Sequence, residues 1–157
     1  MSLTKLVTVF GVVAVFMAVF VVFTYGIKRF DRPLTLVDQG RQVFRLQGCA
    51  SCHAVGGGLS RGPDLAGLIP RLETRLSDNG YRKHLGELKN NRPSLYEKFS
   101  TQYDEILAAE GDSRLRAWFL RHLQNPRFDL YTGMMPSYGH LTEEQLDALT
   151  AFIFTFR

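Results

Sequence analysis

The order of apolar and polar positions divides the chain into an apolar N-terminal run and a longer mixed part. Leu6 to Ile27 is a run of 22 residues without a charged side chain. A helix of that length spans the roughly 30 Å hydrocarbon core of a membrane, and the run exceeds the roughly 7–15-residue apolar core of a signal peptide. We therefore predict a retained transmembrane anchor over residues 1–29, followed by a tether over residues 30–35 in which Pro33 blocks helix continuation.

The mixed part, residues 36–157, has apolar residues at helical spacing and predicts an all-α domain. No run alternates convincingly enough for a strand, and the sequence contains no internal repeat. The first predicted helix is Leu36–Leu46. It contains Gly40, which costs a helix about 1 kcal/mol relative to alanine and marks a candidate for a close crossing with a second helix.

Two further helices are predicted towards the end of the sequence. Asp112 or Ser113 can cap a helix that runs to about Leu123. The last predicted helix is Glu143 to Phe156, and Thr142 begins a capping-box pattern at its start. A further helix is indicated between the first helix and these last two. Its apolar face would consist of residues at helical spacing, namely Tyr96, Phe99, Tyr103 and Leu107. Such a stripe is more typical of a core than of a cofactor contact.

Charge gives no support for nucleic acid as a partner. The formal net charge is +4, but Lys5, Lys28 and Arg29 accompany the apolar run, so the residues from Phe30 onward carry 16 basic and 15 acidic side chains. No basic stripe or block of Lys and Arg is present. We expect a mixed, solvated surface.

The segment Cys49-Ala50-Ser51-Cys52-His53 contains both cysteines of the chain. Two cysteines at this spacing serve as a redox dithiol, as half of a zinc site or for covalent haem attachment. A thioredoxin-like dithiol expects a βαβ context, and zinc needs two more ligands at matched spacing. In haem attachment the two thiols add to the vinyl groups, and the imidazole of His53 reaches the iron. We predict one covalent haem c.

A low-spin electron carrier needs a sixth iron ligand, for which the sequence offers several side chains. The candidates are Met134, Met135, His140, His122 and His84. A thioether ligand favours ferrous iron and raises the potential. Met135 precedes a proline in a loop that leads into the last helix, whereas methionine in an apolar loop often serves only for packing.

These motifs resemble a class I cytochrome c domain. Gly40 and Phe44 match the glycine and the aromatic at which the first helix of that family crosses the last. Residues 49–53 match its haem-attachment motif, and Gly62-Pro63-Asp64-Leu65 resembles its Gly-Pro-Asp-Leu segment. Met135-Pro136-Ser137-Tyr138, ahead of the capped last helix, resembles its Met-Pro ligand loop.

The resemblance implies roles for single residues. The carbonyl of Pro63 would accept a hydrogen bond from Nδ1–H of His53 and fix that ring. Met135 would be the axial ligand opposite His53, with Met134 as the runner-up. The resemblance covers about residues 36–68 and 115–156.

An insertion at about residues 69–111 interrupts the resemblance. It is longer than the usual connection of the family, and we expect one or two helices in it. They would cover a haem edge, form a partner interface or pack as a decoration without a specific function.

Together with the apolar N-terminal run, the resemblance implies a membrane-tethered, single-haem c-type cytochrome that passes single electrons. Its partners would be the integral-membrane subunits of a respiratory or photosynthetic electron-transfer complex and a redox partner. No nucleophile or acid–base pair accompanies the motif, so no catalytic site of its own is predicted, and membership of an oxidoreductase complex stays open. The alternative is a haem protein with an open or labile sixth site that acts as a gas sensor or a catalytic haem subunit.

Two signals conflict over the side of the membrane. The apolar run has Lys5 before it and Lys28, Arg29 and Arg32 after it, so the positive-inside rule would place the domain in the cytoplasm. Haem attachment to thiols takes place outside the cytoplasm in the systems that this motif resembles. We give the motif precedence and predict the haem domain on the periplasmic or extracytoplasmic side.

Overall fold

A computed structural model describes residues 3–30, 33–58 and 60–156 of the chain. The chain divides into two compact units, residues 1–34 and 35–157. Asp31 and Arg32 of the predicted tether lie outside the described residues.

The first unit contains one described helix, α1, which runs from Leu3 to Phe30. Its segment Thr4–Tyr25, 22 residues, is long and apolar enough to cross a membrane, and no other helix in the described part of the chain meets that test. Within this unit its apolar side chains are exposed, as at Phe16 and Phe20. The membrane anchor itself stays a prediction, because length and composition alone support it.

The second unit is helical throughout its described residues, without a strand, as the sequence predicted. Its elements, in chain order, are α2 (Leu36–Leu46), a 3₁₀ turn (Cys49–Ser51), α3 (Leu68–Arg75), α4 (Asp78–Asn91), α5 (Pro93–Ala108), α6 (Gly111–Gln124) and α7 (Glu143–Ile153). Helix α2 has the predicted bounds. A threonine at position 35 caps it by accepting a hydrogen bond from the backbone N–H of Asp38 at 3.1 Å.

The crossing of α2 and α7 depends on Gly40. A Cβ atom on Gly40 would overlap the carbonyl oxygen of Ala148 and lie 2.7 Å from Cβ of Phe152. Beside this contact, the rings of Phe44 and Phe152 pack edge to face with centroids 5.4 Å apart. The close helix crossing predicted from Gly40 is therefore confirmed.

Helix α7 begins where it was predicted to begin and ends three residues earlier. The capping box is present, because the side chain of Thr142 accepts from the N–H of Gln145 and the side chain of Gln145 accepts from the N–H of Thr142. The predicted end at Phe156 is wrong. The N–H groups of Thr155 and Phe156 bond three residues back instead of four, so the chain tightens into a turn after Ile153.

Helix α6 begins earlier than the predicted cap at Asp112 or Ser113. Glu110 is extended and precedes the first helical residue, Gly111. The carbonyl of Glu110 already accepts hydrogen bonds from the N–H groups of Ser113 and Arg114, which places Asp112 and Ser113 inside the helix. The predicted cap is therefore wrong, and no side chain caps this helix.

The insertion contains three helices rather than one or two. Helix α3 already begins at Leu68. The serine at position 77 lies between α3 and α4 and caps the start of α4, because its side chain accepts a hydrogen bond from the N–H of Gly80. Pro93 then starts α5, in the first position where proline suits a helix. The predicted apolar face of α5 is confirmed, since Phe99 and Tyr103 are buried in the core.

Candidate functional site

The two cysteines and His53 lie on a tight turn after α2. Cys49 opens the 3₁₀ turn, and its carbonyl accepts hydrogen bonds from the N–H groups of Cys52 and His53 at 3.2 and 3.0 Å. Both thiols are free. Burial raises the pKa of the Cys49 thiol, against the lowering effect of the nearby Tyr138 hydroxyl. The turn therefore presents two unbridged thiols and an imidazole within five residues.

The ring of His53 is held by the loop that follows. Its Nδ1 atom is 2.9 Å from the carbonyl oxygen of Pro63, the contact that the resemblance implied. A Cβ on Gly62 would lie 2.5 Å from Cε1 and 2.7 Å from Nδ1 of His53, so only glycine lets this loop lie across the ring. The N–H of Gly62 donates to the carbonyl of Cys52 at 2.7 Å, which ties the loop back to the motif.

Asp64 organises the same loop. Its carboxylate accepts three backbone hydrogen bonds, from Gly56 at 2.8 Å, Gly58 at 2.9 Å and Ala66 at 2.9 Å. These bonds favour the charged carboxylate and lower the pKa of Asp64, that from Ala66 most. In the sequence, Asp64 stood out only as part of the segment that resembles the family. Its role in shaping the loop depends on backbone groups that only the folded structure brings to it.

Two adjacent methionines differ sharply in exposure. Met134 is 93% exposed, whereas Met135 is partly buried and packs against the core. The loop that follows Met135 is tied to the end of α6, because the N–H of Tyr138 donates to the carbonyl of Leu123 at 2.8 Å. Met135 therefore faces the interior of the unit and Met134 faces solvent.

His122 stands on α6 with an unsatisfied nitrogen. Its ring stacks on Trp118 with centroids 4.7 Å apart and an interplanar angle of 12°. Its Nδ1 is shielded from solvent and has no hydrogen-bond partner. Burial, and after it the positive charge of Arg75, lowers the pKa of His122 to about 4, so the ring is neutral at neutral pH. A buried polar atom without a partner is rare in a folded protein, and this one suits an interior that takes up a further group.

The other two candidate histidines are held elsewhere. His84 lies on α4 with Nε2 3.0 Å from the carbonyl oxygen of Asp129. His140 is exposed, and its Nε2 lies 3.2 Å from the side-chain oxygen of Gln47. Neither contact brings an imidazole to His53.

Sequence reasoning missed Asp129, which is fully buried. Its Oδ2 accepts hydrogen bonds from Nε1 of Trp118 at 2.7 Å and from the guanidinium of Arg75 at 3.1 Å. Its Oδ1 has no partner. Nothing in the sequence around Asp129 separates a buried aspartate from a surface one, so the missing signal was the fold itself.

A zinc site gains no support from the described residues. Among the described residues, no group of three or more His, Cys, Asp and Glu side chains is placed to hold a metal ion. Two thiols alone do not complete a four-ligand zinc site.

Comparison with known proteins identifies the family. A family model described as Cytochrome c matches residues 37–156, so the chain belongs to the cytochrome c family. Cytochrome c oxidase subunit 2 of Alkalihalophilus pseudofirmus is 31% identical over 121 residues, which make up 76% of this chain and 25% of that protein. The chain thus spans about a quarter of the length of this curated relative. No solved structure matches.

Family membership makes the chain a haem-binding electron-transfer protein. The described residues fit such a group. Pro63 holds the ring of His53 through Nδ1, Met135 packs against the core, and the buried Nδ1 of His122 lacks a protein partner.

Proposed function

We propose that Cys49 and Cys52 would hold one haem c covalently and that His53 and Met135 would ligate its iron. The chain would pass single electrons as a membrane-tethered subunit of a respiratory or photosynthetic electron-transfer complex. The observation that carries the proposal is the His53 ring, which Pro63 fixes through Nδ1. The bound group would supply an iron that alternates between the ferric and ferrous states.

The Pro63 contact selects one tautomer of His53. A carbonyl oxygen only accepts hydrogen bonds, so Nδ1 of His53 carries the hydrogen and Nε2 keeps its lone pair free for iron. Such a hydrogen bond also raises the basicity of a ligating imidazole. Gly62 permits this geometry by leaving no Cβ in the space of the ring.

Met135 is the proposed sixth ligand because it faces the interior, while Met134 is directed to solvent. A thioether favours ferrous iron and raises the potential relative to a second imidazole. Two protein ligands leave no open position for a substrate. The chain would then be a carrier within a complex rather than a complete enzyme.

The relative supports a respiratory partner. A protein named as a cytochrome c oxidase subunit contains a stretch similar to 76% of this chain, so a terminal oxidase or a related complex is the proposed site of action. Helix α1 would anchor the haem domain on the periplasmic or extracytoplasmic side. An anchor holds donor and acceptor at a high effective concentration.

Haem attachment can be tested with cysteine variants. Cys49→Ser together with Cys52→Ser removes both thiols, so acid extraction should release all haem and the pyridine haemochrome of the polypeptide should vanish. Ser51→Ala changes the exposed residue between them and should retain the covalent haem. Covalent haem retained in the double variant would refute the proposal.

The sixth ligand can be tested with the two methionines. Met135→Ala should give a high-spin ferric spectrum and a lower reduction potential, since the thioether is lost. Met134→Ala, the matched control, should keep the low-spin spectrum and its sulfur-to-iron charge-transfer band. The reverse pattern would make Met134 the ligand, and a wild-type protein that is high-spin and readily binds CO would indicate an open sixth site instead.

The membrane and partner proposals need the full chain. A reporter enzyme that is active only outside the cytoplasm, fused after α7, should be active in cells. Purification of the full chain in mild detergent should recover subunits of a membrane electron-transfer complex. Release of the chain from membranes by alkaline carbonate would contradict the anchor. Recovery of the chain alone from detergent would contradict the complex.

A further inference from the structure

A buried cluster around Asp129 joins the insertion to the candidate haem site. Its members are Asp129, Arg75 on α3, Tyr81 and His84 on α4, and Trp118 on α6. Nε1 of Trp118 and the guanidinium of Arg75 donate to Oδ2 of the carboxylate, and His84 Nε2 lies 4.0 Å from the same oxygen. The other oxygen, Oδ1, is buried without a partner.

The cluster reaches the haem site through stacked rings. The guanidinium of Arg75 lies 5.1 Å from the ring centroid of Trp118, and the ring of Trp118 stacks on His122. A positive charge on His53 would lower the pKa of His122, so the two imidazoles are electrostatically coupled. Trp118 thus contacts Asp129 through its N–H and His122 through its face.

We propose that Asp129 binds one proton from solvent when the haem is reduced, which makes the reduction potential of the haem depend on pH. This inference rests on the haem binding proposed above. Asp129 changes from carboxylate to carboxylic acid as one electron from a redox donor converts ferric iron to ferrous. One electron and one proton enter together, so the charge of the interior is unchanged.

The two carboxylate oxygens of Asp129 have different roles. Oδ2 keeps its hydrogen bonds from Trp118 and Arg75 in both states, while the unpartnered Oδ1 is free to receive the proton. Burial raises the pKa of Asp129, against the lowering effect of Arg75. Reduction removes one positive charge from a poorly screened interior, which makes the carboxylate still less favourable.

The charged and titratable groups that face Asp129 come from several helices. Arg75 on α3 favours the carboxylate. Tyr81 on α4 and Tyr103 on α5 are neutral, because burial raises the pKa of each phenol; the Tyr103 hydroxyl donates to the carbonyl of the residue before Asp129. His84 on α4 is partly exposed, and its Nε2 lies 4.0 Å from Oδ2 of Asp129.

The test measures the midpoint potential of the purified haem-loaded protein against pH. In the wild type the potential should fall as pH rises above the usual aspartate range, with a limiting slope of about 59 mV per pH unit, the value of a tenfold change for one electron. Asp129→Asn keeps an acceptor for Trp118 and removes the carboxylate. The midpoint potential of Asp129→Asn should not change with pH in this range. At alkaline pH it should lie above the wild-type potential, because a buried negative charge no longer stabilises ferric iron.

Asp147→Asn is the matched control. Asp147 is exposed on α7 and pairs with Arg116 at 3.1 Å, so its loss should leave the wild-type curve unchanged. A wild-type slope that persists in Asp129→Asn, with the low-spin spectrum intact, would overturn the inference. So would a flat curve in the wild type, even though haem binding would then still stand.

A second variant covers the case in which Asp129→Asn does not fold. Arg75→Gln removes the cation that favours the carboxylate, so the pH-dependent region should move to higher pH. An unmoved region would refute the role of Asp129. Absence of covalent haem from the wild type would instead refute the proposed function itself, together with this inference.

Discussion

Gly40 of α2 lies directly against the backbone of Ala148 of α7. A Cβ on Gly40 would be 2.5 Å from the carbonyl carbon of Ala148 and would overlap its oxygen. Protein interiors are close-packed, so backbone at such a contact has little room to move. The first and last helices of the domain therefore meet at a point that excludes every side chain.

Gly40→Ala should destabilise the domain, because the two helices must separate. Overpacking of this kind costs about 1–3 kcal/mol, and here it outweighs the gain in helix propensity of about 1 kcal/mol. Urea unfolding followed by circular dichroism measures the change. Gly86→Ala is the matched control, since a Cβ on Gly86 of α4 meets nothing within 4 Å, and it should stabilise or leave stability unchanged. Equal effects of the two variants would contradict the argument.

Gly62→Ala should disturb His53 without unfolding the domain. The added Cβ would lie 2.5 Å from the imidazole, so the ring or the loop must move and the proposed iron ligation should weaken. The expected result is a lower yield of covalent haem and a high-spin fraction in the ferric spectrum. Gly57→Ala in the same loop adds a Cβ that meets only Cβ of Ala54, at 3.3 Å, and should keep the low-spin spectrum. A wild-type spectrum for Gly62→Ala would show that the ring tolerates the contact.

Local signals explain why much of the fold was predictable. The starts of α2 and α7 follow from caps within a few residues, Thr35 and Thr142. The Gly40 crossing was predictable because glycine inside a helix needs a reason. Helix ends without such signals were misplaced, as at Glu110, where no side chain caps α6.

The polar interior could not be read from the sequence. Arg75 and Asp129 are separated by 54 positions along the chain, and neither stands in a pattern that distinguishes a buried ion pair from a solvated surface. Burial of charge is decided by tertiary packing of α3, α4 and α6, which no local spacing encodes. The different exposure of Met134 and Met135 was equally hard to predict, because the loop conformation decides which of two adjacent side chains faces the interior.

Asp64 should make stability depend on pH in acid. Backbone hydrogen bonds lower the pKa of Asp64 in the folded state. The carboxylate therefore contributes fully to folding stability above the unfolded-state pKa of about 3.9. That stability is lost as the pH falls through the folded-state pKa. Asp64→Asn should lower the melting temperature at neutral pH, and the gap from the wild type should narrow as the pH is lowered. Asp104→Asn, at an exposed position on α5, is the control. A gap that stays constant across the pH series would contradict the prediction.

Arg114 should hold the three helices of the insertion together. Its guanidinium donates to the carbonyls of Leu76, Leu107 and Ala109 at 2.7–3.1 Å and pairs with Asp78. The first of these carbonyls follows α3, and the other two lie at the end of α5. A single side chain on α6 thus satisfies groups that the ends of two other helices leave without intrahelical partners.

Arg114→Lys keeps the charge and removes the planar fork, so at least one of these carbonyls loses its donor. The side chain of Arg114 is only 11% exposed, and water cannot fully replace the lost bonds. We expect a loss of about 2 kcal/mol in the free energy of unfolding, with faster proteolysis between α3 and α5. Arg116→Lys removes the same fork from an exposed pair with Asp147 and should cost no more than about 0.5 kcal/mol. Equal losses in the two variants would mean that Arg114 acts only as a surface charge.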